Sequence, residues 1–68
     1  MKKYYVHTNA QLSGEHEVHQ EYCIYLPKEE HRVFLGAFTS CAAALQEAKK
    51  TYISVDGCKT CSRNCHNR

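Results

Sequence analysis

The sequence predicts an α+β fold, a small three-stranded antiparallel sheet with one main helix and a Cys-rich C-terminus. Segments rich in aromatic and β-branched residues predict the strands, and apolar residues at helical spacing predict a helix over Cys41–Tyr52. From Cys58 onward the chain is polar and has no apolar periodicity, although it holds three of the five cysteines. That last segment therefore needs something other than packing to hold it.

The length of the chain points to the same need. Ordering 68 residues costs on the order of 100 kcal/mol of conformational entropy, at roughly 1.5 kcal/mol per residue. The apolar core that opposes this cost is thin, because there is no Trp and much of the 43% hydrophobic fraction is Ala and Cys. No linker or repeat divides the chain, so residues 1–68 are interpreted as one domain that requires a covalent or metal staple.

The first strand is predicted over Lys3–Thr8, where Tyr and Val alternate with other residues, and the polar segment Asn9–Gly14 is predicted to turn. A second strand starts near Glu15 and ends at about His19. The end of the strand follows from a distance, because the Cα atoms of residues four apart on a strand are separated by roughly 13 Å. Two side chains so far apart cannot bind the same metal ion. If His19 and Cys23 share a metal, the backbone must therefore reverse between them, at residues 20–22.

Cys23–Leu26 then forms a short helical turn that Pro27 closes, and the charged segment Lys28–His31 connects it to the third strand. That strand, Arg32–Phe38, is predicted from its aromatic and branched residues, with Gly36 marking a bulge or a close approach. Thr39 or Ser40 can cap the helix that follows. Asp56-Gly57 is a turn signal directly before Cys58.

Cys58-Lys59-Thr60-Cys61 is a C-x2-C knuckle, a spacing at which a tight turn points two sulfurs at one ion. Structural sites need four ligands, usually supplied as two close pairs, and His19-x3-Cys23 can supply the second pair. Thiolates with imidazole suit zinc. The sequence thus predicts a structural zinc ion held by His19, Cys23, Cys58 and Cys61. The alternative without metal makes His19 an ordinary strand residue and Cys23 a small buried one.

Three further residues carry ligand or thiol chemistry. Cys65 and His66 follow the knuckle and are possible substitute ligands, hydrogen-bond partners of a ligand sulfur, or tail residues. Cys41 stands where a helix N-terminus would stabilise its thiolate, but its place on the apolar stripe favours buried packing.

Residues 19–61 resemble the metal-binding module of Ada-type DNA-repair proteins. The resemblance is carried by the order of the motifs His19-x3-Cys23-x2-Leu26, Leu35-Gly36-x-Phe38-x-Ser40, Ala43-Ala44-x3-Ala48 and Cys58-x2-Cys61. It implies a zinc-pinned fold. In the Ada proteins a cysteine at the first ligand position accepts a methyl group from DNA, and His19 occupies that position here, so the resemblance argues against alkyl transfer.

The whole chain is also similar to a group of short bacterial proteins, a resemblance that brings no function with it. The shared segments are Tyr5-Val6-His7-Thr8-Asn9, Glu15-His16-Glu17-Val18-His19 and Cys58-x2-Cys61-x3-Cys65-His66.

Three segments of the sequence resemble known functional motifs but do not match their spacing or context. His16-Glu17-Val18-His19 is one residue short of H-E-x-x-H, and on a strand its two histidines face opposite sides. The Cys58-x2-Cys61 pair lacks the helix that follows a thioredoxin-type motif. Cys61-x3-Cys65-His66 is longer than the haem-attachment spacing. We therefore expect no enzymatic activity.

The start of the chain lacks the apolar stretch of a secretory signal, and no stretch of about 20 apolar residues predicts a membrane span. A cytoplasmic location is expected, where an odd number of cysteines favours thiolates over disulfides. The basic residues that give the net charge of +2 are scattered, so they do not form the clustered positive surface typical of a nucleic-acid-binding protein.

A monomeric zinc module with a protein or nucleic-acid partner is the first functional hypothesis. The alternative is a thiol-based redox or metal-handling protein using Cys41, Cys58, Cys61 and Cys65.

Overall fold

A computed structural model of the protein describes residues 1–67 and contains one mixed sheet with one α-helix. The strands lie in the order β3-β1-β2-β4, in which β1 pairs antiparallel with both neighbours and β2 pairs parallel with β4. The elements are β1 Lys2–His7, β2 His16–Gln20, β3 Arg32–Phe38, α1 Cys41–Ala48 and β4 Val55–Gly57, with 3-10 turns at Glu29–His31 and Arg63–Cys65.

The prediction of a three-stranded antiparallel sheet is therefore wrong in the number of strands and in the direction of one pair. Val55–Gly57 is a strand, not a turn, and it lies alongside β2 with His16 opposite Val55 and Val18 opposite Gly57. Three residues are too few to show a strand period, and Asp-Gly is ordinarily a turn signal. The parallel direction arises because α1 connects β3 to β4 across one face of the sheet.

The core lies between α1 and the face of the sheet that it covers. Its buried members are Tyr4, Val6, Val18, Ala44, Ala48 and Val55, with five partly buried residues packed against them, namely Leu35, Phe38, Cys41, Leu45 and Tyr52. Small alanines on α1 allow the helix to approach the sheet closely. Since Val18 points into this core, the alternation of a strand directs its neighbour His19 to the opposite face.

Helix α1 begins as the sequence predicts, because the Ser40 hydroxyl accepts a hydrogen bond from the Ala43 amide at 3.3 Å. It ends at Ala48, four residues before the predicted end. The last turn tightens there, since the amides of Lys50 and Thr51 bond to carbonyls three residues back. Tyr52 nevertheless packs on the core and stacks on His16, with ring centroids 3.8 Å apart.

The predicted irregularity at Gly36 is confirmed as a bulge. Tyr4 lies opposite Gly36 while Tyr5 lies opposite Phe34, so Leu35 is the extra residue between two ladder pairs. Gly36 has φ +132°, a conformation that a side chain would strain. Within residues 1–67, no helix is both long and apolar enough to cross a membrane.

Candidate metal centre

The parallel pairing of β2 with β4 brings the two ligand pairs to the same end of the sheet. His19 lies near the C-terminal end of β2, and Cys58 directly follows β4. The Cys58 amide donates to the Val18 carbonyl at 3.0 Å, which extends the strand pairing up to the knuckle. The correction to the predicted sheet thus explains how two segments that are far apart in sequence meet.

The predicted chain reversal between His19 and Cys23 is confirmed. Strand β2 ends at Gln20, and the Cys23 amide donates to the Gln20 carbonyl at 3.1 Å, closing a tight turn through residues 21 and 22. A second turn follows, in which the Leu26 amide donates to the Cys23 carbonyl at 3.1 Å. The side chain of Cys23 is thereby folded back toward that of His19.

The four predicted ligands converge on one point. One ligand atom from each of His19, Cys23, Cys58 and Cys61 lies within 4.8 Å of the others, and the sulfurs of Cys23 and Cys58 are 3.8 Å apart. Four donors at these mutual distances can surround a single metal ion. Sulfur and imidazole donors suit borderline and soft metals rather than calcium or magnesium.

His19 is the most informative member of the cluster. Its side chain is 1% exposed, and neither ring nitrogen has a hydrogen-bond partner among the described residues. Nε2 lies 3.3 Å from Glu17 Oε1, outside hydrogen-bonding geometry. A buried imidazole without partners is costly unless something else binds it, and a metal ion would do so.

Burial also sets the charge state of this imidazole. Desolvation by burial, together with a smaller effect of the neighbouring His7, lowers the pKa of His19 to about 4. The ring is therefore neutral at pH 7, and neutral imidazole is the form that ligates metals.

Each of the three sulfurs in the cluster accepts a backbone hydrogen bond. The Tyr25 amide donates to Cys23 Sγ at 3.4 Å, and the Thr60 amide donates to Cys58 Sγ at the same distance. Both donors stand two residues after their cysteine, so the two turns hold their sulfur atoms by the same kind of hydrogen bond. The third donor is the Gln20 amide, 3.2 Å from Cys61 Sγ. Such N–H donors stabilise thiolates, the form a metal needs.

The protein alone does not ionise Cys61. Burial raises the pKa of this thiol well above its ordinary value, the Gln20 amide lowers it, and the nearby sulfurs of Cys23 and Cys58 raise it again. A cation among the sulfurs would reverse this balance, because it supplies the positive charge that the site lacks.

Gly57 permits the close packing behind the knuckle. A Cβ at this position would lie 2.7 Å from Cys65 Cβ and 2.7 Å from the Ser62 carbonyl oxygen. The Ser62 amide donates to the Cys58 carbonyl and the Cys65 amide to the Ser62 carbonyl, so the chain folds back onto β4 in successive turns. Only glycine allows this contact without displacing the backbone.

Cys65 forms a disulfide with Cys41, with 6.2 Å between their Cα atoms. This bond corrects the expectation that the cysteines remain thiols, and it places both sulfurs outside the four-ligand cluster. The half-buried Cys41 is packed against the core, as expected, but as one half of a disulfide. Cysteine spacing alone does not reveal connectivity, and the odd count favoured thiols.

His66 lies beside β4, where its Nδ1 is 2.9 Å from the Gly57 carbonyl oxygen and 3.1 Å from Asp56 Oδ2. The other oxygen of this buried carboxylate, Oδ1, accepts the amides of Gly57 and Asn67. His66 therefore helps to anchor the tail in the described structure.

Two residues near the centre were not predicted from the sequence to contact its members. Gln20 contacts Cys61 through both its backbone and its side chain, and Glu17 lies beside His19. Glu17 could have been found, since it stands two residues from His19 on the same face of a strand. Gln20 gives no comparable signal, because its contact depends on where the knuckle docks.

The chain was compared with known proteins at three levels. Protein-family models, curated proteins and solved structures all gave no match.

Proposed function

We propose that the protein is a small non-catalytic module whose fold is pinned by one structural zinc ion bound to His19, Cys23, Cys58 and Cys61. The observation that carries the proposal is the convergence of the four ligand atoms within 4.8 Å. The buried, unpartnered ring of His19 supports it independently, because a chain without metal would leave that ring unsatisfied.

Zinc is the metal that this donor set suits best. Three sulfurs and one imidazole form a Cys₃His set, which is a common structural zinc site in proteins. Three thiolates around a divalent ion leave one net negative charge, and the amides of Gln20, Tyr25 and Thr60 are placed to balance it. Zinc also prefers the tetrahedral arrangement that four ligands from two turns can provide.

Four protein ligands leave no open position for a substrate, and for this reason we propose no catalytic role. The resemblance to the Ada-type module is compatible with this role and, because His19 stands at the methyl-accepting position, it supports a structural ion rather than alkyl transfer. The imidazole of His19 supplies no nucleophilic sulfur at that position.

The proposed role includes a macromolecular partner. Tyr22, Ile24 and Tyr25 are 90%, 82% and 61% exposed, and all three stand in the turns that hold Cys23. Exposed apolar side chains on a metal-fixed loop favour a protein partner over a nucleic acid, since the scattered charge of +2 gives little attraction for phosphates. A cytoplasmic location and a monomeric state remain part of the proposal.

Native mass spectrometry combined with thiol alkylation tests the zinc proposal. We expect one zinc per chain and protection of Cys23, Cys58 and Cys61 from a maleimide until a chelator is added. Chelation should also lower the thermal unfolding midpoint, because the binding energy of the ion is part of the folding energy. An unchanged midpoint after complete metal removal, or rapid labelling of these thiols in protein supplied with zinc, would contradict the proposal.

The alternative hypothesis, a thiol-based redox or metal-handling protein, uses Cys41, Cys58, Cys61 and Cys65. The geometry divides these residues into two groups, since Cys58 and Cys61 belong to the four-ligand cluster whereas Cys41 and Cys65 are bonded to each other. Redox chemistry is therefore favoured only at the disulfide.

A further inference from the structure

The Cys41–Cys65 disulfide lies between the core, against which Cys41 packs, and an open cleft that both cysteines line. Both cysteines are half-buried, and both line a cleft between the start of α1 and the C-terminal turns. Disulfides that serve only as staples are usually inaccessible, whereas exposed ones exchange with external thiols. The cleft therefore gives a small thiol a route to this bond.

The two sulfurs are not equivalent. Cys41 is the first residue of the eight-residue helix α1, whose N-terminus is capped by Ser40 and has no acidic residue in its first turn. A helix N-terminus stabilises negative charge, so a thiolate leaving at Cys41 is favoured. Cys65 lies in the short 3-10 turn Arg63–Cys65 and has no such support. Exchange proceeds faster when the better-stabilised thiolate leaves, so the attack belongs at Cys65.

The cleft also selects the charge of the incoming thiol. Of the described residues that line it, Arg63 carries a positive charge and none is Asp or Glu. Arg63 is exposed, stands two residues before Cys65 in the same 3-10 turn, and lines the same cleft. The charge of Arg63 attracts a thiol that bears carboxylates and repels one that bears an amine alone.

We propose that Cys41–Cys65 is a thiol–disulfide exchange site for small carboxylate-bearing thiols. The incoming thiolate sulfur bonds to Cys65 Sγ, the Cys41–Cys65 bond breaks, and its electron pair remains on Cys41 Sγ. A second molecule of the same thiol then attacks the mixed disulfide at the sulfur that came from the first thiol molecule. This attack releases Cys65 as a thiolate. The external thiols are oxidised to their disulfide, and Cys41 and Cys65 are reduced to two thiols.

This exchange is independent of the proposed metal centre. None of the four clustered ligands is consumed in the reaction, although Cys61 lines the same cleft. Reduction would free the C-terminal turns from α1 while Cys58 and Cys61 remain where they are. The proposal for the disulfide and the proposal for the metal can therefore be contradicted independently of each other.

Glutathione, a thiol with two carboxylates and one amine, is the probe for the first test. Unmodified protein is mixed with glutathione at pH 7.5, quenched with N-ethylmaleimide after short times, and mapped by peptide mass spectrometry. We expect glutathione on Cys65 and maleimide on Cys41 while circular dichroism remains native. Glutathione mainly on Cys41, or no adduct until the chain unfolds, would overturn the proposal. Maleimide on Cys23, Cys58 and Cys61 reports metal loss separately.

A charge variant provides the second test. R63Q should slow reduction by glutathione roughly threefold at low ionic strength and leave reduction by cysteamine no slower, and the difference should vanish in high salt. K59Q is the matched control, because it removes the same charge from a residue that lines the neighbouring cleft. Equal effects of R63Q on both thiols, or an equal slowing by K59Q, would overturn the choice of an anionic thiol.

Discussion

Gln20 holds Cys61 by two hydrogen bonds from one residue. Its backbone amide donates to Cys61 Sγ at 3.2 Å, and its side-chain Nε2 donates to the Cys61 carbonyl oxygen at 2.7 Å. The end of β2 therefore positions both the sulfur and the backbone of Cys61. This contact joins the two halves of the cluster without help from a metal.

Gln20→Ala removes the side-chain bond and keeps the amide bond to sulfur. We expect the free energy of unfolding to fall by about 1 kcal/mol and zinc affinity to fall by roughly tenfold, since the Cys61 backbone becomes less constrained. Competition with a chromophoric chelator measures the affinity. Gln46→Ala, on the exposed face of α1, is the control and should change neither quantity. Equal affinities of the two variants would show that the side chain does not position Cys61.

His19→Ala tests the ligand on which the cluster depends most. Loss of one of four ligands should reduce zinc affinity by roughly 100-fold or more, and the cavity left by a buried ring should lower stability by about 2 kcal/mol or more. His31→Ala removes an exposed imidazole and should leave both quantities unchanged. If His19→Ala bound zinc as tightly as the parent chain, His19 would not be a ligand.

The metal-free protein should show a stability maximum between two pH limits. In the folded state the pKa of His19 is about 4 instead of 6.5, so the unfolded chain takes up a proton first as the pH falls. Stability is then lost from about pH 6.5 down to pH 4, by on the order of 3 kcal/mol. The pKa of Cys61 is raised in the folded state above its ordinary value of 9.0, so the unfolded chain loses this proton first as the pH rises. Stability is therefore also lost as the pH rises above 9.0.

Zinc should abolish the alkaline limb of this profile, because the bound thiolates no longer gain by unfolding. Urea unfolding of metal-free and zinc-loaded protein across pH 4–10 measures both limbs. The variant His19→Gln should flatten the acid limb of the metal-free profile. Persistence of the full acid limb in that variant would assign it to another group.

Gly57→Ala should destabilise the protein by about 1–3 kcal/mol, because the added Cβ meets Cys65 Cβ and the Ser62 carbonyl at 2.7 Å. Gly14→Ala is the matched comparison. Its Cβ meets nothing within 4 Å, but φ is +100°, so backbone strain alone costs about 1–2 kcal/mol. Only Gly57→Ala should also weaken zinc binding. An effect of similar size on zinc in both variants would contradict the packing explanation.

The convergence of His19, Cys23, Cys58 and Cys61 and the chain reversal could be predicted because both follow from local constraints. C-x2-C is a spacing with known geometry, and His19 and Cys23 can share an ion only if the strand ends between them. The cap at Ser40 and the bulge at Gly36 are likewise decided by nearby residues. These features do not require knowledge of the complete topology.

Strand β4 and the Cys41–Cys65 bond could not be predicted for the opposite reason. Val55–Gly57 becomes a strand only because β2 offers it backbone partners, and its own sequence favours a turn. The disulfide depends on the position of the C-terminal turns relative to the start of α1. Both outcomes are decided by tertiary contacts between distant segments.

We expect the parallel pairing of β2 with β4 to form late in assembly. Strand β1 pairs antiparallel with β2, its neighbour in sequence, and with β3 across the loop that contains β2, whereas β4 must close a longer loop that contains β3 and α1. Closing that loop is slow because its entropy is lost before any contact compensates for it. We therefore expect Cys58 and Cys61, which are close in sequence, to capture the ion first. The docking of that loaded pair on β2 would then be the rate-limiting step of folding.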